Sequence, residues 1–497
     1  MRYTSTRDNS VRVDSATAIA RGISPDGGLY VPEEIPQYDY RALCQTVKAD
    51  YRDRAIDILS RFLTDFTADE LRECVYAAYT DKFGADDEVA PVVSANDNKY
   101  ILELWHGPTS AFKDMALQLL PHLLTRSVKK TGSGKETVIL VATSGDTGKA
   151  ALEGFSDVPG TRIIVFYPED GVSNIQKLQM TTQLGENVSV CAVRGNFDDA
   201  QTGVKRIFTD PALIDELAAH NMAFSSANSI NWGRLVPQIV YYINSYLELM
   251  ENGEMDYEDE PFNIVIPTGN FGNILAAYYA KLMGLPVKKL ICASNANNVL
   301  TDFLRTGVYD RNRTFHTTIS PSMDILISSN LERLLYHMSG CDCNAVRNWM
   351  EQLKTTGRYD VGADMTRQLG EVFWAGCCDD AQTKQEIRAM FEAEGYLCDT
   401  HTAVGLNVYR QYVEATGDTT PTVIASTASP FKFAPSVLGS LTELDPQRNE
   451  FDIISELSVI SGCAVPTPLA ELSGKPVRFT NVCNPDEMAD MVRRLLF

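Results

Sequence analysis

Val138-Ile139-Leu140-Val141-Ala142, then Thr143-Ser144-Gly145-Asp146-Thr147-Gly148, then Lys149-Ala150-Ala151-Leu152 is the stretch on which the fold turns. A short apolar run rich in β-branched residues reads as a buried strand. The glycine-rich segment reads as a tight turn, and the last segment opens a helix. The same order returns at Phe262-Asn263-Ile264-Val265-Ile266-Pro267, followed by Thr268-Gly269-Asn270-Phe271-Gly272-Asn273 and a helix over 274–283. Further strands are expected at 162–167, 290–294 and 422–426. Apolar runs joined by helices imply βαβ units, so an α/β fold with parallel-type sheets flanked by helices is expected. Ligands in such sheets bind beyond the carboxyl ends of the strands, where these turns would lie.

Outside this region the chain changes character. Pro25-Asp26-Gly27-Gly28-Leu29-Tyr30-Val31-Pro32 is turn chemistry leading into a short extended piece. Residues 39–83 read as helical, with Ile56, Ile58, Leu59, Phe62 and Leu63 as apolar positions, so the front of the chain is expected to form a helical domain. The acidic stretch 251–260, with Asp256, Glu258 and Asp259, reads as a solvated loop or linker. Residues 300–400 are rich in helix-like runs and offer little readable chemistry before His401-Thr402-Ala403.

The 497 residues carry a net charge of −21, a poor match to nucleic acid or an anionic membrane. An anionic substrate would need a local cationic pocket. No apolar run approaches the roughly 20 residues of a spanning helix, and Met1-Arg2-Tyr3-Thr4-Ser5 does not begin a secretory signal. Eleven cysteines without a CxxC pair suggest reduced thiols in a cytoplasmic protein. Six histidines without HxxxH or HExxH spacing give no zinc site, and no metal is expected. Gly132-Ser133-Gly134-Lys135-Glu136 is not a phosphate-binding P-loop: its first glycine and its Ser/Thr are missing, and the strand follows it.

Five patches carry candidate chemistry. In His106-Gly107-Pro108-Thr109-Ser110-Ala111-Phe112-Lys113-Asp114, a turn places Lys113 at the start of an apolar helix through Met115, Leu117, Leu119 and Leu120. Desolvation and a helix N-terminus both favour the neutral amine, the form that attacks aldehydes. By itself the patch suits better a surface lysine paired with Asp114. The turns 143–148 and 268–273 point backbone N–H groups at any anion, and the second holds no Lys or Arg, which suits a cofactor phosphate held by neutral donors. The first reads equally as a plain βα turn. Asn228-Ser229-Ile230-Asn231-Trp232-Gly233-Arg234 offers amides, a hydroxyl and a guanidinium for a phosphate or carboxylate, or an ordinary salt bridge. Ala425-Ser426-Thr427-Ala428-Ser429-Pro430 ends a strand with small hydroxyl residues, and a simple strand-end turn is its plainer reading.

Together the five patches resemble the threonine synthase family of fold type II pyridoxal-5'-phosphate (PLP) enzymes, over most of the chain. Tyr3-Thr4-Ser5-Thr6-Arg7 and the 22–32 segment resemble that family's N-terminal domain, and 106–114 resembles its PLP-lysine motif. The resemblance implies three parts: an N-terminal domain over 1–90, a PLP-dependent catalytic region of two α/β subdomains with the cofactor between them over 91–440, and a C-terminal extension packed on it over 441–497. It implies that Lys113 carries the cofactor aldehyde, that Gly269, Asn270, Phe271, Gly272 and Asn273 bind the cofactor phosphate, and that Thr427 faces the pyridine nitrogen. Ser144, Gly145, Asp146 and Thr147 would surround the substrate carboxylate and the cofactor's ring oxygen; relatives in the wider fold often carry Asn where Asp146 stands. Asn228, Ser229 and Arg234 would hold the substrate phosphate. The implied reaction, the last step of threonine biosynthesis, turns O-phospho-L-homoserine and water into L-threonine and phosphate. The substrate amine would displace Lys113, which then takes the Cα proton. A monomer or homodimer acting on this small molecule is expected. The alternatives are a related phospho-lyase that releases 2-oxobutyrate, and a non-catalytic metabolite-binding protein on the same fold.

Overall fold

The computed structural model describes the whole chain except residues 85–87, 97, 144, 171, 256–259 and 446 and the side chain of Tyr40. The Ser144 assignment and residues 256–259 of the acidic 251–260 stretch, Asp256, Glu258 and Asp259 among them, therefore lie outside the described residues. Two sheets organise what is described. The larger has six strands in the order Phe373–Cys377, Val287–Ser294, Phe262–Pro267, Thr422–Ser426, Lys99–Glu103, Val92–Ala95. Every neighbouring pair is parallel except the edge pair of Val92–Ala95 with Lys99–Glu103. The smaller is parallel throughout, in the order Asn481–Cys483, Val188–Val193, Thr161–Pro168, Glu136–Ala142, Met222–Ser225.

The central strands are buried on both faces, Phe262–Pro267 and Thr422–Ser426 along their whole lengths. That is why they read as continuous apolar runs rather than alternating ones. The strand after the chain's last long helices, Asn481–Cys483, joins the small sheet beside Val188–Val193, so the C-terminal segment completes a sheet.

At the front, Tyr3–Ser5 pairs with Tyr30–Pro32 as an antiparallel ribbon. The expected helical stretch resolves into Tyr40–Cys44, Tyr51–Phe62 and Ala68–Tyr79. Asp50 caps the second, and Thr67 with Glu70 forms a capping box on the third. These helices pack near the 20-residue helix Trp232–Glu251, almost all of which is buried. The N-terminal ribbon is tied to the rest through Arg7, which makes two 2.8 Å bonds to the Glu332 carboxylate, and Tyr3, whose hydroxyl donates to the Phe62 carbonyl at 2.9 Å. Among the described residues no helix is long and apolar enough to cross a membrane.

Candidate active site

Four chain segments leave the carboxyl ends of strands and converge. Residues 104–113 follow Lys99–Glu103, 427–429 follow Thr422–Ser426, and 268–271 follow Phe262–Pro267, all in the large sheet. Thr143 and Gly145 follow Glu136–Ala142 in the small sheet. The site is thus built where loops from the strand ends of the two sheets meet.

Lys113 is not a surface lysine paired with Asp114. Asp114 is fully buried and bonded by the backbone N–H and hydroxyl of Thr109 at 2.8 and 2.7 Å. Burial pushes its carboxyl up to about 6, against the pull of the Thr109 bonds. Nor does Lys113 open one long helix: it precedes the four-residue turn Asp114–Leu117, and a separate helix runs over Leu120–Lys130. The Lys113 amine instead lies 3.1 Å from Ser322 Oγ, to which it donates, and 3.7 Å from Asp146 Oδ2. Burial holds its pKa below the ordinary lysine value. Asp146 opposes that shift, while the positive charges of Lys432 and Arg234 reinforce it.

Asp146 is the ionic centre of the site. Its Oδ1 takes Lys432 Nζ at 2.7 Å and Gln176 Nε2 at 3.1 Å, and its Oδ2 takes Ser322 Oγ at 3.3 Å. Burial alone would raise this carboxyl, but the ammonium groups of Lys432 and Lys113 outweigh it and hold the carboxyl far below the usual range. Asp146 opens the helix Asp146–Phe155 three residues earlier than the sequence suggested, with Thr147 in its first turn and partly exposed. Gly145 has φ 139°, and a Cβ there would collide with the Gln176 amide at 2.4 Å.

The 268–273 turn has a different chemistry. A Cβ on Gly269 would lie 2.7 Å from the Ser322 carbonyl oxygen, so this loop and Lys113 touch opposite sides of one residue. Asn270 O accepts from Asn330 N and Nδ2 at 3.1 and 3.2 Å, and Asn330 Nδ2 also reaches Ser229 O at 3.2 Å. Phe271 holds a left-handed φ of 61° at the start of the helix Gly272–Leu282 while fully buried. For a bulky side chain that costs roughly 1–2 kcal/mol and marks a constrained functional turn. The Tyr241 and Tyr242 hydroxyls lie 2.5 and 2.6 Å from Asn273 Oδ1.

Arg234 sits buried in the first turn of Trp232–Glu251, where burial lowers its pKa to about 10. Its Nη1 donates to Ala227 O at 2.8 Å, but among the described residues its Nε has no partner, and neither has Asn273 Nδ2. Buried donors without an acceptor are rare and costly. Here they flank the turn proposed to hold a phosphate, and the donor set fits the phosphate of PLP and a second anion. Asn228 is exposed and Ser229 half-buried, both beside Arg234 at the helix start. Thr427 is buried, and its carbonyl accepts from Phe112 N at 2.9 Å, which lays it alongside Lys113.

Four contributors escaped the sequence reading. Ser322 comes from the stretch that had seemed empty of chemistry, and its N–H donates to His401 Nε2 at 3.2 Å. His401 Nδ1 therefore carries the proton, 2.8 Å from the buried Asp399 carboxylate. Gln176 and Lys432 complete the set. Of these, Lys432 left a signal: a lysine between Phe431 and Phe433, just after a strand-end turn.

Family models match most of the chain. The model for the threonine synthase N terminus matches residues 2–79, that for pyridoxal-phosphate dependent enzymes residues 91–427, and that for the threonine synthase C-terminal region residues 402–494. The threonine synthase of Pseudomonas aeruginosa is 38% identical over 441 residues, spanning 88% of this chain and 90% of its own. A Homo sapiens protein called threonine synthase-like 1 is 42% identical over 434 residues, 85% of this chain but 57% of its own length. The chain thus spans little more than half the length of the threonine synthase-like 1 relatives it matches. The crystal structure of PLP-bound threonine synthase from Brucella melitensis superposes with a TM-score of 0.88 at 36% identity, covering 100% of this chain and 99% of that one.

Proposed function

Because this chain belongs to the threonine synthase family of pyridoxal-phosphate-dependent enzymes, we propose that it converts O-phospho-L-homoserine and water into L-threonine and phosphate. One observation carries the reading. The buried Lys113 amine and the neutral-donor turn 269–273 meet at Ser322, with the unmatched guanidinium Nε of Arg234 nearby.

Bound PLP supplies the electron sink that accepts charge developing at the substrate Cα. The remaining work falls to the chain. Lys113 holds the cofactor aldehyde. Burial and its cationic neighbours favour the neutral amine, which suits it both to that bond and, once released, to taking the Cα proton. Ser322 Oγ fixes the direction of that amine. Gly269, Asn270, Phe271, Gly272 and Asn273 offer the cofactor phosphate neutral donors at a helix N-terminus, and Thr427 lies where it can face the cofactor ring. Gly145, Asp146 and Thr147 shape the side for the substrate carboxylate and the ring oxygen. Arg234, with Asn228 and Ser229, offers the substrate phosphate a cation in a chain whose net charge is −21. A Cβ proton is lost as phosphate leaves Cγ, and Cγ is then protonated as water adds its hydroxyl at Cβ. A cytoplasmic monomer or homodimer, divided near residues 90 and 440, is part of the same reading, which the eleven free cysteines support for the compartment.

A second reading is release of 2-oxobutyrate, phosphate and ammonia from the same substrate. It is retained because relatives at 42% identity carry the name threonine synthase-like 1 rather than threonine synthase. Incubating the PLP-loaded chain with O-phosphohomoserine and quantifying both products decides between them. Threonine as the main product is expected; 2-oxobutyrate alone refutes the first reading.

A further inference from the structure

Two lysines share one buried carboxylate. Lys432 lies in the short turn Pro430–Phe433, directly after the strand Thr422–Ser426, with its side chain wholly removed from solvent. A lysine is almost never fully buried unless paired. Its ammonium has two partners, Asp146 Oδ1 at 2.7 Å and the Thr109 carbonyl at 2.9 Å. Lys113 approaches the other oxygen of Asp146 at the longer distance of 3.7 Å, with Ser322 Oγ between them.

The charges do not balance if both lysines are protonated. With Asp146 ionised the trio would carry one net positive charge in a dry site, beside Arg234. The lysine with the weaker hold on the carboxylate is the one that gives up its proton, and that is Lys113. Asp146 also stands in the turn proposed to receive the substrate carboxylate. Two carboxylates brought together there would repel unless one is already compensated.

We infer that Lys432 is a positioning residue, the fixed counter-ion that holds the Asp146 carboxylate facing Lys113 while the Lys113 amine is neutral. The inference rests on Lys113 being the lysine that takes up PLP. Lys432 touches neither cofactor nor substrate in this role; it acts through Asp146. The charged groups facing Lys113 are Asp146, Lys432 and Arg234, and those facing Lys432 are Asp146, Lys113 and Asp114.

The test uses the full chain stripped of cofactor and titrated with PLP across a pH series, following the chromophore of the lysine-bound aldehyde. Lys432→Met removes a positive neighbour of Lys113 and leaves Asp146 with Lys113 as its only cation. The pH midpoint for chromophore formation is expected to rise by about 1–3 units. Lys432→Met combined with Asp146→Asn removes both charges and should bring the midpoint most of the way back. A purely structural lysine would not show that reversal. An unchanged midpoint in Lys432→Met, or a double variant no better than the single, overturns the inference. Should Lys432→Met fail to fold, Asp146→Asn alone gives the reciprocal reading: the midpoint falls, and a rise overturns the inference. A wild-type chain that forms no chromophore at any pH overturns the parent reading of Lys113, and this one with it.

Discussion

The turns 143–148 and 268–273 occupy the same place in their sheets. Each follows the carboxyl end of a buried parallel strand, is rich in glycine, and leads into a helix. Their surroundings are opposite. Around the first, one carboxylate is divided among two lysine amines, an amide and a hydroxyl. Around the second, the amide, hydroxyl and phenol groups of Asn330, Ser328, Tyr241 and Tyr242 bond the turn, and none of these carries a charge. A phosphate that stays bound through a whole cycle is well served by neutral donors, since no proton need move there. A place where a lysine must gain and lose charge needs ions whose balance can shift. The difference between the turns is thus a division between holding and proton handling, and Ser322 stands at their boundary.

Four substitutions probe that division. The largest effect is expected from Asp146→Ala, which leaves the Lys432 ammonium buried without its carboxylate. Removing one partner of a buried pair typically costs about 3–5 kcal/mol. Denaturant unfolding of the PLP-free chain should show a loss in that range, and a loss below about 1 kcal/mol would mean that the ionic turn is solvated. Next is Arg234→Ala, predicted to weaken O-phosphohomoserine binding by about 2–5 kcal/mol while PLP stays bound. Unchanged apparent affinity would remove Arg234 from the substrate side. The smallest effect separates the two glycines of the neutral turn. Gly269→Ala drives a methyl against the Ser322 carbonyl, an overpacking of roughly 1–3 kcal/mol that should appear as weaker PLP binding. Gly272→Ala meets its nearest neighbour, Asn330 Nδ2, at an ordinary 3.4 Å and should bind PLP as the parent does. Equal losses at both positions would place the constraint in the turn's backbone rather than at Ser322.

What the sequence revealed and what it hid follow from how far apart the partners lie. The strands Phe262–Pro267, Thr422–Ser426 and Thr161–Pro168 were legible because burial on both faces writes a continuous apolar run into the chain. Met222–Ser225 and Asn481–Cys483 are short sheet edges with mixed burial, and they left no such run. The same contrast holds in the site. Lys113, Gly269 and Arg234 sit in local motifs that a strand–turn–helix reading can place. Ser322 reaches Lys113 across 209 positions, and Lys432 reaches Thr109 across 323, so only tertiary folding brings them there. The assignment of Asp146 to the surroundings of the substrate carboxylate and ring oxygen carried no sign of its Lys432 counter-ion for that reason. His401 stood out beside Thr402 after the 300–400 stretch, but neither its Asp399 partner nor its support of a loop 79 positions away was legible.

The most direct measurement is to load the chain with PLP, reduce it with borohydride and map the modified peptide by mass. The predicted result is a single pyridoxyl label on Lys113, absent from Lys113→Ala. A label on Lys149, Lys432 or another lysine of the unmodified sequence, or no label at all, would contradict it.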